Sequence, residues 1–126
     1  MEPDQFTLDE ANAWIPWLAE KFRQLNLVQQ EYAAIQERIY DSRIASDDET
    51  SVSELKATSD QLSRQLEEGV EEILDQGIIV RDLSLGLVDF PSLRENRDIY
   101  LCWIGGEAQV DYWHEINQGF SHRQPI

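Results

Sequence analysis

Cysteine, basic residues and long apolar runs are all scarce in this chain, and each scarcity excludes a class of protein. The single cysteine, Cys102, rules out an internal disulfide and fits a reducing compartment. Ten Lys and Arg residues stand against 25 Asp and Glu residues, and the resulting net charge of −15 repels phosphate backbones and anionic lipid heads. No apolar run reaches the ~18–20 residues that span a bilayer, and the acidic start lacks a signal-peptide core. The sequence predicts a cytoplasmic protein that binds neither nucleic acid nor membranes.

Local motifs for catalysis are also missing. The chain has no glycine-rich phosphate loop, no CxxC pair and no GxSxG nucleophile turn, and the stretch HEIN at residues 114–117 lacks the second histidine of a zincin helix. Cys102 lies within an apolar stretch with nothing nearby in sequence to lower its pKa, which favours an inert buried thiol over a nucleophile. No cofactor is predicted from these motifs.

The first half of the chain has helical signals. Thr7 with Glu10 three residues later forms a capping box that predicts a short helix. Pro16 is then the first-turn residue of a second helix that runs to about Arg43, roughly 42 Å long. Its apolar residues fall on one stripe at helical spacing, namely Leu18, Phe22, Leu25, Val28, Tyr32, Ile35 and Ile39.

A third helix completes an antiparallel hairpin with the second. Residues 47–51 are polar and predict the break, and Ser51 with Glu54 predicts the new N-terminus. The helix is expected to end at Gly77, and Gly69 inside it predicts a close contact with another element. A packed hairpin is favoured over an extended coiled coil.

From residue 78 the hydrophobic period changes from 3.6 to 2, which predicts a β-meander. Strands are expected at 78–83 and at 87–90, the second ended by Pro91, then a polar loop at 92–97 and a strong strand at 98–104. Gly105-Gly106 predicts a two-residue hairpin turn that pairs Leu101 with Val110 and Ile99 with Tyr112.

The predicted fold class is therefore α+β. A long antiparallel helical hairpin, preceded by a short capped helix, packs with a small C-terminal antiparallel β-meander. One domain covers residues 1–126, with the helical part at 6–76 and the meander with its ordered tail at 77–126. The helical residues 1–76 have 18 acidic against 6 basic side chains, and so carry most of the charge.

The candidate site residues cluster around the end of the meander and the tail. Carboxylate, imidazole and guanidinium groups occur there together, in Asp111, His114, Glu115 and Arg123. Three interpretations stay open: structural ion pairs, which are favoured, a small-ligand pocket, or a divalent metal held by Asp111, His114 and His122. Asp82 and Asp89 would join this group if their strands lie beside the hairpin.

Five segments together resemble an uncharacterised bacterial family known as domain of unknown function 2203. They are FTLDEANAWIPWL, GLVDFPS, IYLCWIGGE, YWHEINQGF and RQP. The likeness covers nearly the whole chain and is densest in residues 6–18 and 77–125. The resemblance implies a small cytoplasmic protein with no assigned activity, and no catalytic role is carried over from it.

The favoured functional hypothesis is a non-enzymatic interaction module that forms a homodimer through its helical hairpin. A meander of about 50 residues is too small to cover a hairpin about 40 Å long, so part of the apolar stripe is expected to stay bare. The alternative is a small-ligand- or metal-binding enzyme, such as a hydrolase, that uses the polar sheet face and the tail. A third hypothesis is an acidic hairpin that binds a basic protein partner.

Overall fold

A computed structural model of the chain describes residues 5–45 and 49–126. In these residues, three helices precede a five-stranded sheet. The helices are α1 Leu8–Ala13, α2 Ile15–Ala45 and α3 Glu49–Leu74. The strands are β1 Ile79–Asp82, β2 Leu87–Arg94, β3 Arg97–Trp103, β4 Tyr112–Glu115 and β5 Gln124–Pro125, with a 3₁₀ turn at Phe120–His122. Neighbouring strands are antiparallel and follow chain order across the sheet. The predicted α+β class is confirmed.

The N-terminal capping box forms as predicted. The Thr7 hydroxyl accepts a hydrogen bond from the Glu10 backbone N–H, and the Glu10 carboxylate accepts one from the Thr7 N–H. Just before α1, the backbone N–H of Phe6 donates to the carbonyl of Pro91 at 2.8 Å. This bond ties the start of the chain to the sheet.

The helices α2 and α3 pack as the predicted hairpin. A Cβ atom added at Gly69 would lie 2.3 Å from Leu25 Cδ2, so the expected close contact at this glycine is confirmed. Lys21 pairs with Glu72 near the base of the hairpin, and Gln36 donates to Ser59 at 2.6 Å farther along.

Two predicted boundaries of α3 were wrong. The helix begins at Glu49, so Ser51 lies inside its first turn rather than at its cap. Glu49 is an acidic first-turn residue, which suits the helix dipole. Residues 47 and 48 of the predicted break lie outside the described residues. The helix ends at Leu74, and Gly77 follows with φ of 84°, a backbone conformation that favours glycine.

One face of the sheet, the inner face, packs on the helices. Its apolar side chains form a single buried cluster with the base of the hairpin, made of Val88, Phe90, Ile99, Leu101, Trp103 and Trp113 together with Ala11, Ile15, Leu18, Phe22, Leu25 and Ile73. The Phe22 and Trp103 rings stack at 6.4 Å, and Phe6 meets Phe90 edge-on at 5.3 Å. Burial of each such side chain stabilises the fold by about 1.5–3 kcal/mol.

The strand β2 does not stop at Pro91, contrary to the prediction. It continues to Arg94 because Pro91 lies where no ladder hydrogen bond is needed. β1 pairs with β2 only as far as Asp89, which leaves an open edge beside Pro91. The Pro91 carbonyl points to that edge, where Phe6 binds it, so the nitrogen that lacks a hydrogen points there too.

The predicted polar loop at 92–97 was also wrong. Leu93 pairs with Asp98 and Arg94 with Arg97, which leaves Glu95-Asn96 as a two-residue turn. Both turn residues have positive φ, 53° and 62°, as a type I′ hairpin turn requires.

The predicted register of the second hairpin was wrong by three residues. The turn at Gly105-Gly106 exists, since the Glu107 N–H donates to the Ile104 carbonyl. Pairing does not continue from it, and Leu101 faces Trp113 instead of Val110, while Ile99 faces Glu115 instead of Tyr112. An odd shift exchanges the two faces, so Trp113 enters the core and Tyr112 leaves it.

Side-chain bonds hold the chain between β3 and β4 away from the regular ladder. The Val110 N–H donates to the Asn12 side chain at 2.7 Å, and Trp103 Nε1 donates to the Glu107 carbonyl at 2.9 Å. In the described part of the chain, no helix is both long and apolar enough to cross a membrane.

Candidate functional site

The face of the sheet turned away from the helices, the outer face, gathers a buried polar cluster. Asp89 of β2 lies opposite Cys102 of β3, and His114 of β4 lies opposite Tyr100 of β3. Three neighbouring strands thus bring one carboxylate, one thiol and one imidazole together. Their residues are only 1–2% exposed.

Hydrogen bonds determine how the His114 imidazole is protonated. Its Nδ1 lies 2.8 Å from the Glu115 carbonyl oxygen, which can only accept, so Nδ1 carries a hydrogen. Its Nε2 lies 2.9 Å from Asp89 Oδ1. One hydrogen must lie between these two atoms, on either the imidazole or the carboxyl, because two acceptors do not bond each other. The buried pair therefore shares a proton.

Arg81 binds the second oxygen of the Asp89 carboxylate. Its Nε donates to Asp89 Oδ2 at 2.9 Å, and its guanidinium lies 5.2 Å from the centre of the Tyr100 ring. The hydrogen bond to Asp89 raises the pKa of Arg81, so the guanidinium stays charged. Tyr100 in turn packs against His114 at 5.5 Å between ring centres.

Cys102 is a neutral thiol in this setting. Burial, and then the nearby charge of Asp89, raise the pKa of Cys102 to about 12. The expectation of an unreactive buried thiol agrees with this environment. The sulfur is nevertheless close to other donors, since the Asp89, Cys102 and His114 ligand atoms all lie within 4.8 Å of one another.

The chain after β4 folds back over the cluster. Residues 116–120 form one wall of a cavity of about 410 Å³, and Arg81, Asp89, Cys102 and His114 lie on the other side. The wall is thus made of the segment that follows His114 directly.

Arg123 holds the chain after β4 against the sheet. Its guanidinium makes two 3.0 Å hydrogen bonds to the Glu107 carboxylate and lies 4.1 Å from the Tyr112 ring centre and 4.4 Å from that of Phe120. Burial opposes the charge of Arg123, but hydrogen bonds to Glu107 and Cys102 outweigh it and raise the pKa of the guanidinium. Bidentate pairing of this kind adds geometric specificity to the contact.

The candidate residues from the sequence separate into two groups. His114 and Arg123 belong to the cluster and to its cover. Asp111 accepts from Gln109 at 2.8 Å, Glu115 pairs with Arg97 at 2.8 Å, and His122 contacts Ser121 at 3.1 Å. Asp111, Glu115 and His122 therefore take part in separate local contacts.

Of the two additional carboxylates, Asp89 joins the site and Asp82 does not. Asp82 accepts from the Leu85 backbone N–H at 3.0 Å and so stabilises the β1–β2 turn. With the correct β3–β4 register, the alternation of side chains along the strands would have placed Cys102 and His114 on the same face of the sheet. Arg81 lies where the β1–β2 register shifts, so alternation alone does not assign its direction.

Comparisons with known proteins give one match. A family model described as an uncharacterized conserved protein, DUF2203, matches residues 5–126. No curated protein and no solved structure matches the chain.

Proposed function

The chain belongs to the DUF2203 family of uncharacterised conserved proteins, and we propose that it acts as a non-enzymatic interaction module that self-associates through the distal hairpin. The distal hairpin is defined here as residues 26–43 of α2 and 49–66 of α3. A second copy of the chain is the proposed partner.

Incomplete burial in the middle of the apolar stripe of α2 carries this proposal. Leu18, Phe22 and Leu25, which lie against the sheet, are at most 5% exposed. Val28, Tyr32 and Ile35 continue the same stripe but are only partly buried, and Ile39 at its far end is buried again, at 7% exposed. The stretch from Val28 to Ile35 thus lies beyond the residues that the core buries fully, and a partly exposed apolar stripe is an association surface.

The β1–β2 turn contacts α2 near the start of the distal hairpin. Ser84, in the β1–β2 turn, lies 3.4 Å from the Gln29 side chain. Farther along, a groove of about 690 Å³ is lined by residues of α2 and α3 alone, with Ile35 and Leu55 as its apolar members.

The charges around this groove suit a second copy of the same chain. Its rim includes Arg38 from α2, with Asp41 and Glu54 as acidic neighbours. In a two-fold symmetric contact the same surface of both copies meets. A groove with basic and acidic side chains on its rim can therefore pair the basic residue of one copy with an acidic residue of the other. Two antiparallel hairpins that pair in this way form a four-helix arrangement.

The geometry of the outer-face cluster supports a non-enzymatic role. Both nitrogens of His114 are already hydrogen-bonded, and its side chain is 2% exposed. A general base needs a nitrogen within reach of the proton that it removes. His114 has none available in this arrangement.

The oligomeric state in solution tests the proposal. The chain has a mass of 14.7 kDa, so light scattering coupled to gel filtration is expected to give about 29 kDa at micromolar concentration. Ile35→Glu places a charge in the stripe and is expected to give the monomer mass with unchanged helical circular dichroism. Ala34→Glu adds the same charge at an exposed position outside the stripe, about 100° around α2 from Ile35, and is expected to leave the dimer intact.

Salt separates self-association from the binding of a basic partner. Two copies with a net charge of −15 each repel one another, so screening by salt strengthens the dimer, whereas it weakens a complex with a basic protein. A wild-type mass of about 15 kDa at every concentration and salt level would disprove the proposal. A dimer that Ile35→Glu leaves unchanged would disprove the assigned surface.

A further inference from the structure

The buried cluster on the outer face has the composition of a transition-metal site. Its donor atoms are Asp89 Oδ1, Cys102 Sγ and His114 Nε2, all within 4.8 Å of one another. Oxygen, sulfur and nitrogen from these side chains are the ligands that Zn²⁺ takes in proteins. We propose that Asp89, Cys102 and His114 bind one Zn²⁺-like ion, and that its fourth position faces the cavity under residues 116–120.

The spacing requires only a small adjustment. With bonds of about 2.0–2.3 Å in a tetrahedron, two ligand atoms on one zinc ion lie about 3.3–3.7 Å apart. Asp89 Oδ1 and His114 Nε2 are 2.9 Å apart, so they must separate by about 0.4 Å. Cys102 Sγ lies within 4.8 Å of both atoms, so the sulfur must approach them by at most about 1.1 Å.

Hydrogen bonds from outside the cluster already orient two of the proposed ligands, His114 and Asp89. His114 donates from Nδ1 to the Glu115 carbonyl, which directs Nε2 into the cluster. Arg81 occupies Asp89 Oδ2 and leaves Oδ1 directed at His114. A carbonyl behind the imidazole and a donor behind the carboxylate are the outer partners that metal ligands usually have.

Replacement of two hydrogens of the cluster by one divalent metal ion leaves the total charge unchanged. The ion would displace the thiol hydrogen of Cys102 and the hydrogen shared by Asp89 and His114, so M²⁺ enters as two H⁺ leave. The total charge of the buried group is unchanged. No additional counter-ion is needed in a region that is nearly closed to water.

The cavity supplies room at the fourth position. Its volume of about 410 Å³ is lined by apolar Leu87 and Phe120 as well as by the guanidinium of Arg81. Three protein ligands with one open position differ from closed structural zinc sites, which have four. The open position would take water or a small anion beside Arg81.

The donor set also determines which ions are excluded. Mg²⁺ and Ca²⁺ require oxygen ligands, so the thiol and imidazole do not suit them. Both ions are nevertheless attracted to a surface with a charge of −15. Mg²⁺ is therefore the control ion for non-specific binding.

The experiment uses the full chain after treatment with a chelator and dialysis. Zn²⁺ titrated calorimetrically in excess Mg²⁺ is expected to bind with a stoichiometry of one and to raise the melting temperature. Co²⁺ as a probe is expected to give the charge-transfer absorption of a cobalt–thiolate bond. Cys102→Ser, which is nearly isosteric, is expected to remove that absorption and to weaken binding by roughly 100-fold or more, since loss of even an outer partner costs about 10–100-fold.

The matched controls are the other histidine and a nearby exposed carboxylate. His122→Gln and Asp111→Asn change residues outside the cluster and are expected to keep full Zn²⁺ affinity and the cobalt–thiolate absorption. A wild-type protein that binds no Zn²⁺ in excess Mg²⁺ would overturn the proposal. Zn²⁺ binding that survives Cys102→Ser and is lost in His122→Gln would assign the ion to another site and overturn it equally.

Discussion

A buried carboxylate and a buried imidazole destabilise a fold unless each finds a partner, and Asp89 and His114 are partners of each other. Arg81 supplies the charge that the Asp89 carboxylate needs, and the Glu115 carbonyl receives the remaining N–H of His114. Among the described residues, no buried side-chain polar atom lacks a hydrogen bond. Removal of one member would leave an uncompensated group, which typically costs about 3–5 kcal/mol.

Gly69 tests the contact between the two long helices. In Gly69→Ala the new methyl group would lie 2.3 Å from Leu25 Cδ2 and 3.2 Å from Leu25 Cγ, and Leu25 is buried with little room to move. Overpacking costs about 1–3 kcal/mol, which exceeds the ~1 kcal/mol that alanine gains in helix propensity. We expect the free energy of unfolding in urea to fall by about 1 kcal/mol.

Gly119→Ala is the control for this substitution. Nothing lies within 4 Å of a Cβ atom at Gly119, and its φ of −135° suits alanine. Its unfolding free energy is expected to stay within about 0.5 kcal/mol of the wild type. A Gly69→Ala variant as stable as the wild type would mean that the helices are not packed this closely.

At the scale of elements, the capping box of α1 predicts a pH dependence. The hydrogen bond from the Thr7 backbone lowers the pKa of Glu10 below 4.5. A carboxylate whose folded pKa is depressed contributes stability above its unfolded pKa, and this is lost as the pH falls through the folded value. We expect Glu10→Gln to reduce the loss of stability below pH 4.5, measured by urea unfolding at several pH values.

Thr7 is the other half of the same box, and its variants provide the control. Thr7→Ala removes the hydroxyl that accepts from Glu10 and is expected to cost about 1 kcal/mol at neutral pH. Thr7→Ser keeps the hydroxyl and is expected to cost much less. Equal stability of the two variants would show that the cap contributes nothing to the fold.

The tail is a second element with a testable role, since Arg123 fastens it over the cluster. Arg123→Ala removes two charge-assisted hydrogen bonds to Glu107, worth about 1.5–3 kcal/mol, and frees residues 116–123 to open. We expect native Cys102 to react with a thiol reagent about 10- to 100-fold faster in this variant. Wild-type Cys102 is expected to resist the reagent at neutral pH, because burial raises its pKa to about 12.

Arg97→Ala separates this effect from general destabilisation. It breaks an ion pair with the Glu115 side chain, which lies on the inner face of the sheet, opposite the cluster. Reaction of Cys102 is expected to stay slow. If Arg97→Ala and Arg123→Ala accelerate labelling equally, the tail is not the cover that limits access to the thiol.

The limits of sequence reasoning are also clearest at this scale. Helices were predictable because periodicity and the capping box of α1 are local. The Gly69 contact was predictable because a glycine within a helical pattern indicates close packing, although its partner Leu25 is distant in sequence. The β3–β4 register was not, because it depends on bonds such as that from Val110 to Asn12, which lie far apart in sequence. The predicted pairing ended at Tyr112, so His114 was left outside the sheet instead of beside Tyr100, and the cluster was not predicted.

For the whole molecule, the division between helices and sheet separates two kinds of proposed function. The sheet and tail enclose the polar cluster, whereas the helical residues 1–76 carry the half-buried stripe and 18 of the 25 acidic side chains. The sequence predicted the division and the homodimer hypothesis from composition and length. It did not predict the site as found, because Asp89, Cys102 and His114 come from three strands whose pairing only the tertiary structure determines.

The order of the elements has a consequence for synthesis on the ribosome. All three helices precede all five strands, and translation at about 5–20 residues per second means that the sheet follows the hairpin by roughly 2–10 s. During that interval Leu18, Phe22 and Leu25 lack the inner face that later covers them. The nascent hairpin is therefore most exposed to chaperones, and to neighbouring nascent chains on the same messenger, before its own sheet has left the exit tunnel.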